Sequence, residues 1–488
     1  MTVPKYLFFA VLWFAVVSAE AADSRFDCGG QVEAEVWSVW DSRLRGFIEQ
    51  QQLRDRLLKR GDVYALYDVQ TYTHNVVSMA RRCNRQDRLR EIATLIRIAY
   101  DALEPGTPAS PGRRWICRGG STCNDTNRLL NKEVALDSVQ FLALAASVAN
   151  ALASSKQPPG PEKEAFVEDT ARVAVEHLLR WGDIADETRL RKAIRSTPGD
   201  MDGSSALIFT DRELWLITVY AELAGIGNAD LGLSDEDHDR LRRHLTQLLR
   251  FFSARLSIRK RGTVDLADVD RAYWSSRAEN RYAGYESEEK PVVCASSENG
   301  DKKPEVRVPA STVSTRADTG WDISHARRLV HALDALERNR GALMKTFGVS
   351  RKELPRKGIA RAFANTLLKD VWNGDTAMPL FSNYWSGANG WFRVAYDNGT
   401  GACREGYPPY GMSDSFATGG YIVWAQYRPQ IGVLGRRLYD LAREPDEEGA
   451  AFITKYYPTL SKQAGAQSNA LAKLMFLPTL VGPAGGSK

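Results

Sequence analysis

Stretches that alternate apolar and polar residues with the period of two of a half-buried β-strand are nearly absent from this 488-residue sequence. That absence leaves a helical protein. Beyond the first 21 residues no apolar run reads as long enough to cross a membrane, so no membrane span is expected in the mature chain. Neither Cys-x-x-Cys nor His-Glu-x-x-His occurs, so the spacings that build zinc sites are missing and no metal or other cofactor is expected. Excess charge of one sign is small: 65 Lys and Arg stand against 60 Asp and Glu, a formal +5 spread over the whole chain. With no basic tail and no Arg-rich run, nucleic acid is not an expected partner. The balance suits an anionic ligand without requiring one.

What is present begins with a leader. Lys5, an apolar run from Tyr6 to Val17, and the small residues Ser18, Ala19 and Ala21 predict a cleaved export signal over 1–21 and a mature protein, 22–488, that is periplasmic or secreted. Six cysteines in an oxidising compartment predict three disulfides. Cys117 and Cys123 enclose a short glycine-containing loop and are the first pair expected. Three pairings of the other four are open. Cys28 with Cys83 and Cys294 with Cys403 is preferred, because it joins the N-terminus to its nearest hairpin and ties two long loops together. Asn124-Asp-Thr126 and Asn398-Gly-Thr400 fit the glycosylation sequon.

Helical periodicity fills most of the remainder. Between Pro161 and Gly182, Val167, Ala171, Ala174, Leu178 and Trp181 fall at spacings of four and three, which keep one face apolar. Pro161 with Glu162 and Glu164 opens this element and Gly182 closes it. The spacing recurs at Leu241, Leu245, Leu248 and Phe252 behind a Ser234-Asp-Glu-Asp237 cap, and at Ala326, Leu329, Leu333 and Leu336. A weak internal repeat overlies the pattern. Five segments start with an aspartate, Asp68, Asp137, Asp211, Asp322 and Asp414, and run into an apolar helix. Aspartate is a good N-cap, because its carboxylate accepts from orphan backbone N–H groups. Apolar helices belong inside and amphipathic ones outside. Interleaving them predicts an all-α protein, a single (α/α)n toroid or barrel of helical hairpins whose inner-helix loops meet at one mouth, with a surface excursion around 272–310. A pile of helices with ordinary caps is the competing arrangement.

One segment, 379–427, fits neither period. It packs Trp385, Trp391, Phe392, Tyr396, Tyr407 and Tyr410 between glycines before an apolar run at Tyr421 to Trp424. Loops of this length are usually functional or disordered, and so many aromatics supply the apolar area that ordering requires. A packed lid over the core accounts for the aromatics equally well. Asn389, Arg393, Arg404 and Glu405, however, bring more hydrogen-bonding demand than a plug needs. The segment therefore reads as the rim of a binding cleft.

Trp321-Asp-Ile-Ser-His-Ala326 and the aromatic run from Ser386 to Tyr410 resemble the inner-helix mouths of helical-toroid carbohydrate-active enzymes. These include polysaccharide lyases of the alginate and glucuronan type and inverting glycosidases with the same ring. The resemblance covers most of the mature chain as architecture but little of it as motif. The Asn-Asn-His run of toroidal alginate lyases is matched only loosely by Tyr72-Thr-His-Asn75, and the residues after Tyr457 leave no room for the β-sandwich that larger lyases append. The resemblance implies an enzyme acting on an acidic polysaccharide or oligosaccharide. Elimination needs a carboxylate neutraliser, a base and an acid. His325, Tyr407, Tyr410, Arg393, Asn389 and Glu405 are the candidate catalytic residues. Tyr72, His74, Trp321, Trp385, Trp391, Arg404, Asp322 and Asp414 are candidate substrate contacts, the tryptophans through their apolar faces. His177, His244 and His331 read as structural. Hydrolysis would instead pair Glu405 with Asp322 or Asp414. A non-catalytic exopolysaccharide-binding or assembly protein would use the same aromatics to hold a chain uncut. On residue types elimination leads.

Overall fold

The computed structural model describes residues 23–483 except 108–110, 125–126, 156–159, 202–204, 228–231, 297–301 and 398–401. The expected export signal, Asp125 and Thr126 of one sequon and the whole of the other lie outside the described residues. Within them the chain is mostly helical. The elements that carry the packing are α1 (Tyr64–Arg82), α2 (Gln86–Tyr100), α3 (Ala135–Ala153), α4 (Pro161–Trp181), α5 (Asp211–Ile226), α6 (Asp235–Arg255), α7 (Arg328–Arg338) and α8 (Ala466–Leu480).

The amphipathic helices end where their local chemistry ends them. Pro161 sits in the first turn of α4 with Glu162 and Glu164 behind it, where a missing N–H is harmless and negative charge meets the positive helix end; Gly182 caps the other end. Ala171, Ala174, Leu178 and Trp181 are buried and Val167 is half-buried. Ser234 accepts from the Asp237 N–H at 3.1 Å to start α6, whose row of Leu241, Leu245, Leu248 and Phe252 is wholly buried. By contrast, α3 is buried at every position from Asp137 to Leu152 and α5 at nearly every one. Helix α3 is long and apolar enough by length and composition to cross a membrane, contrary to the expectation that no such stretch follows the leader. Here it lies in the core, buried without a break from Asp137 to Leu152. It packs against α1 and α5; α1 also lies on α8, and α5 on α7. The amphipathic α2, α4 and α6 cover these from outside.

The all-α expectation holds for the bulk of the described chain, and two short antiparallel hairpins accompany the helices, β1 (Leu256–Arg261) with β2 (Val264–Val269) and β3 (Val292–Ser296) with β4 (Lys302–Val306). β1 has no buried face and β4 is exposed throughout, so neither carries an alternation to detect. The excursion around 272–310 is not a free surface loop. Tyr282 and Val292 share a small core with Trp391 and Val394. All three preferred disulfides form, Cys28–Cys83, Cys117–Cys123 and Cys294–Cys403, and the last fastens the β3–β4 hairpin to the aromatic segment.

The aspartate repeat needs a second correction. Of its members only Asp322 caps a helix by its side chain, accepting from the N–H groups of Ser324 and His325. Asp137 lies inside the first turn of α3 and Asp68 beyond the first turn of α1. Asp211 follows a Thr210–Glu213 capping box, and Asp414 follows Ser413. The buried Asp137 and Asp211 and the half-buried Asp414 are thereby left without the capping task assigned to them.

Burial along the α6 row sets its energetics. Leu248→Ala should lower unfolding free energy by about 2–5 kcal/mol, whereas Val167→Ala on the half-buried edge of α4 should cost about 1 kcal/mol. Urea denaturation of both variants checks the ordering, and equal losses would contradict it.

Candidate functional site

Residues three and four apart share a helix face, and on α1 this stacks Tyr67, Gln70, Thr71 and His74 along one line. Gln140 from α3, Trp215 from α5, and Arg327, Arg328 and His331 from the start of α7 meet that line around a cavity of about 20 Å³, room for about one water. His74 lies flat on His331, ring centroids 3.8 Å apart and 18° from parallel, with Trp215 5.7 Å away on a similar tilt. The Gln70 amide donates to His74 Nδ1 at 2.7 Å while its carbonyl accepts from Gln140 at 2.6 Å, so Nδ1 is an acceptor. Burial pushes His74 down to about 3, with Arg81 and Arg338 adding to it against Asp334. His331 is likewise driven well down, by burial and then by His74. The floor of the site is a neutral imidazole pair.

Beside the cavity lies a cluster of charged groups. The Tyr67 hydroxyl accepts from Arg328 Nη2 at 2.9 Å, and the same guanidinium lies 3.6 Å from Asp211 and donates to the Ser324 carbonyl. Arg328, ahead of opposing burial and joined by Arg327, holds the Tyr67 phenol below the ordinary value of 10.0. One turn before Arg328, His325 Nδ1 bonds Asp322, whose other oxygen accepts from Ser324 N–H at 2.9 Å and Ser324 Oγ at 2.6 Å. Burial would raise the Asp322 carboxyl, but His325 and Ser324, with Arg393 at longer range, hold it well below the usual range. Asp137 behaves oppositely. It is 1% exposed and its Oδ2 has no hydrogen-bond partner among the described residues. Burial, followed by the fields of Asp68, Asp62 and Asp211, pushes it up to about 8. Asp68 itself pairs with Arg56 at 2.5 Å.

Among the residues singled out from sequence, His325, Asp322 and Arg393 come together here, Tyr72 lies beside Asp68, and His74 forms the floor. His331, read as structural, joins it there. The expected stacking tryptophans do not line a cleft: Trp321, Trp385 and Trp391 are 1%, 0% and 2% exposed. Their indole N–H groups bond the carbonyls of Phe209, Ala267 and Ser287, so these are core residues. Asn389 accepts from the backbone of Asn383 and Tyr410 and pins the loop to itself. Glu405 pairs with Lys290 at 2.6 Å and accepts from Cys294 N–H, bracing the β3–β4 hairpin rather than facing His325. Tyr407 is exposed with its backbone paired to Phe392, Arg404 is bonded through its carbonyl to Ala395, and Tyr410 neighbours Glu286 and Tyr456. Asp414 is buried against Thr459 at 2.7 Å and pushed up to about 6 by that burial. The residues that sequence reasoning missed are Tyr67, Arg327 and Arg328. A doubled arginine entering an apolar helix was the available signal.

No protein-family model, curated protein or solved structure matches the chain.

The buried imidazoles make stability depend on acid. The unfolded chain protonates His74 below 6.5 while the folded chain refuses the proton until about 3. Stability is therefore full above 6.5 and lost as pH falls toward 3, by roughly 2 kcal/mol at pH 5 from this one group. Urea unfolding at pH 7.5 and 5.0 should show the drop and His74→Gln should reduce it; an unreduced drop would contradict the assignment.

Proposed function

We propose that this chain is an exported enzyme, an (α/α) toroid whose mouth cleaves an acidic, uronate-containing polysaccharide by β-elimination. Support for the ring comes from the chain of helix contacts, α8 on α1, α1 on α3, α3 on α5 and α5 on α7, with the Tyr421–Gln426 turn touching both α7 and α8. Support for export comes from three disulfides, which persist in oxidising compartments.

The observation that carries the chemistry is the Tyr67 hydroxyl held 2.9 Å from Arg328 with Arg327 beside it. A phenol stabilised as its anion by two guanidiniums is suited to take the proton at C5 of a uronate, a proton acidified when a cation neutralises the adjacent carboxylate. Arg327 is the cation assigned to that carboxylate. His325, locked through Nδ1 to an ionised Asp322, is the donor whose Nε2 proton goes to the leaving oxygen. The C5–H and C4–O4 bonds break, C4=C5 forms, one proton ends on Tyr67 and one leaves His325. No redox partner is needed.

Hydrolysis would require a reachable neutral acid facing an ionised carboxylate. Asp137 has the raised pKa of such an acid but is 1% exposed, whereas Tyr67 and His325 are only half-buried. Accessibility therefore favours elimination.

The test is ultraviolet absorbance of an unsaturated uronate with purified protein against a panel of acidic polysaccharides. Turnover should rise with pH to a midpoint below the 10.0 of an ordinary tyrosine. Tyr67→Phe should lose about 10²–10⁴-fold, and Arg327→Gln should move the midpoint upward by removing a cation from the phenolate. Reducing ends without unsaturated product would replace elimination with hydrolysis. Binding with neither product would leave a carbohydrate-binding protein.

A further inference from the structure

The mouth described above contains the means of breaking a bond but, among the described residues, none of the three tryptophans expected to carry a sugar ring. The expected tryptophans are buried, and the floor beneath Tyr67 admits no more than about one water. One indole on the His325 side differs from them. Trp274 is half-buried, and its ring centroid lies 6.0 Å from that of His325 at a tilt of 40°. It is also fixed. Its Nε1 donates to Asp270 Oδ2 at 2.8 Å, an oxygen that accepts from Phe209 N–H at 3.0 Å as well. Its carbonyl accepts from the Asn280 side chain at 3.0 Å. Asp270 is fully buried and ion-paired to Arg255 at 3.2 Å. An aromatic held this rigidly loses little entropy when something stacks on it.

The strand of loop that carries Arg393 approaches the same place. Its N–H donates to the carbonyl of Glu279 at 2.9 Å, within the turn that follows Trp274, and its positive charge reaches the Asp322 carboxylate. The guanidinium carbon lies 5.1 Å from the Phe392 ring and 5.3 Å from the Tyr396 ring, and Nε has no hydrogen-bond partner among the described residues. Left-handed backbone occurs at Asp270 and Ala272 on one side and at Arg393 and Ala395 on the other, φ 58°, 73°, 56° and 51°. Such conformations persist where the surroundings over-determine them. Here the determinants are the buried Asp270 carboxylate and the disulfide-fastened segment.

We propose that Trp274 and Arg393 form a sugar subsite next to His325, in which the indole face carries the C–H face of one pyranose ring and the guanidinium takes that ring's carboxylate. This rests on the acidic-polysaccharide reading above but not on elimination. It makes the residue bound beside the cleaved bond a uronate too, so a polymer of consecutive uronates is favoured over one in which uronates alternate with neutral sugars. Trp274 acts here as a binding residue. Its loss is read in affinity and KM, not in the pH profile of turnover.

The experiment is calorimetric titration of the full mature protein with hexamers of mannuronate, guluronate, galacturonate and glucuronate, with a glucose hexamer as the neutral control. At least one oligouronate should bind in preference to the glucose hexamer. Trp274→Ala should weaken it by at least about tenfold, while Trp274→Phe, which keeps a ring but lacks the N–H to Asp270, should recover most of the affinity. Arg393→Gln should erase the preference over the glucose hexamer. Thermal unfolding of each variant separates lost contact from lost fold. Trp274→Phe binding no better than Trp274→Ala, with both folded, would overturn the stacking role, and unchanged preference in Arg393→Gln would overturn the carboxylate role. Trp274-dependent binding without any unsaturated product would retain the subsite and remove elimination. Absence of binding by all four oligouronates would overturn both.

Discussion

The Asp322 carboxylate is the interaction on which the site depends. It is 4% exposed and remains ionised only because the Ser324 and His325 N–H groups, the Ser324 hydroxyl and the His325 ring surround it. A charge buried without such partners would cost several kcal/mol or take up a proton. Its backbone completes the arrangement. Asp322 bridges Tyr384, Ile323 N–H donates to the Asn383 carbonyl at 2.9 Å, and Trp385 N–H to the Trp321 carbonyl at 2.9 Å. One residue thus caps the helix, orients the imidazole and anchors the aromatic segment. The four-residue helix it starts leads directly into Arg327 and Arg328.

The aromatic segment is ordered by backbone accounting as much as by burial. Buried N–H and C=O groups in a loop have no ladder to join, and here side chains replace one. Asn383 donates to the carbonyls of Gly390 and Pro408 and accepts from Met412 N–H, while Ser413 both accepts from and donates to the backbone of Phe381. Tyr457 donates to the Pro379 carbonyl at 2.6 Å. Of the polar residues that made the segment look like a lined cleft, Asn389 and Glu405 also serve to brace it.

That explains which parts of the protein could be read from sequence. Periodicity is local, so the apolar rows of α4, α6 and α7 were legible, as was the capping Ser234. The cysteine pairs followed from compartment and loop logic. The hairpins were not legible, because β1 and β4 bury no continuous face. The aspartate repeat was seen but misassigned: Thr210 with Glu213 already caps α5, so Asp211 is free to face Arg328. Tyr67 was out of reach for a simpler reason. Its perturbation comes from arginines about 260 positions downstream, a separation of 261 residues for Arg328. One of three tyrosines in the first half of a helix gives no sign of it.

The neutral histidine pair separates two charged layers of the core. Beneath it lies a second charged layer, Arg81 with Asp334 at 2.7 Å and Arg338 bonded to both Asp334 and Glu222. Above it are Arg327 and Arg328. A protonated imidazole between these layers would add a cation where arginines already stand on both sides, and burial would leave it poorly solvated. Keeping both rings neutral lets them pack face to face beside a cavity with room for about one water. The cationic potential above the floor is then not shared with the interior. It falls on Tyr67, whose phenol Arg328 and Arg327 hold below its ordinary value against the opposing effect of burial.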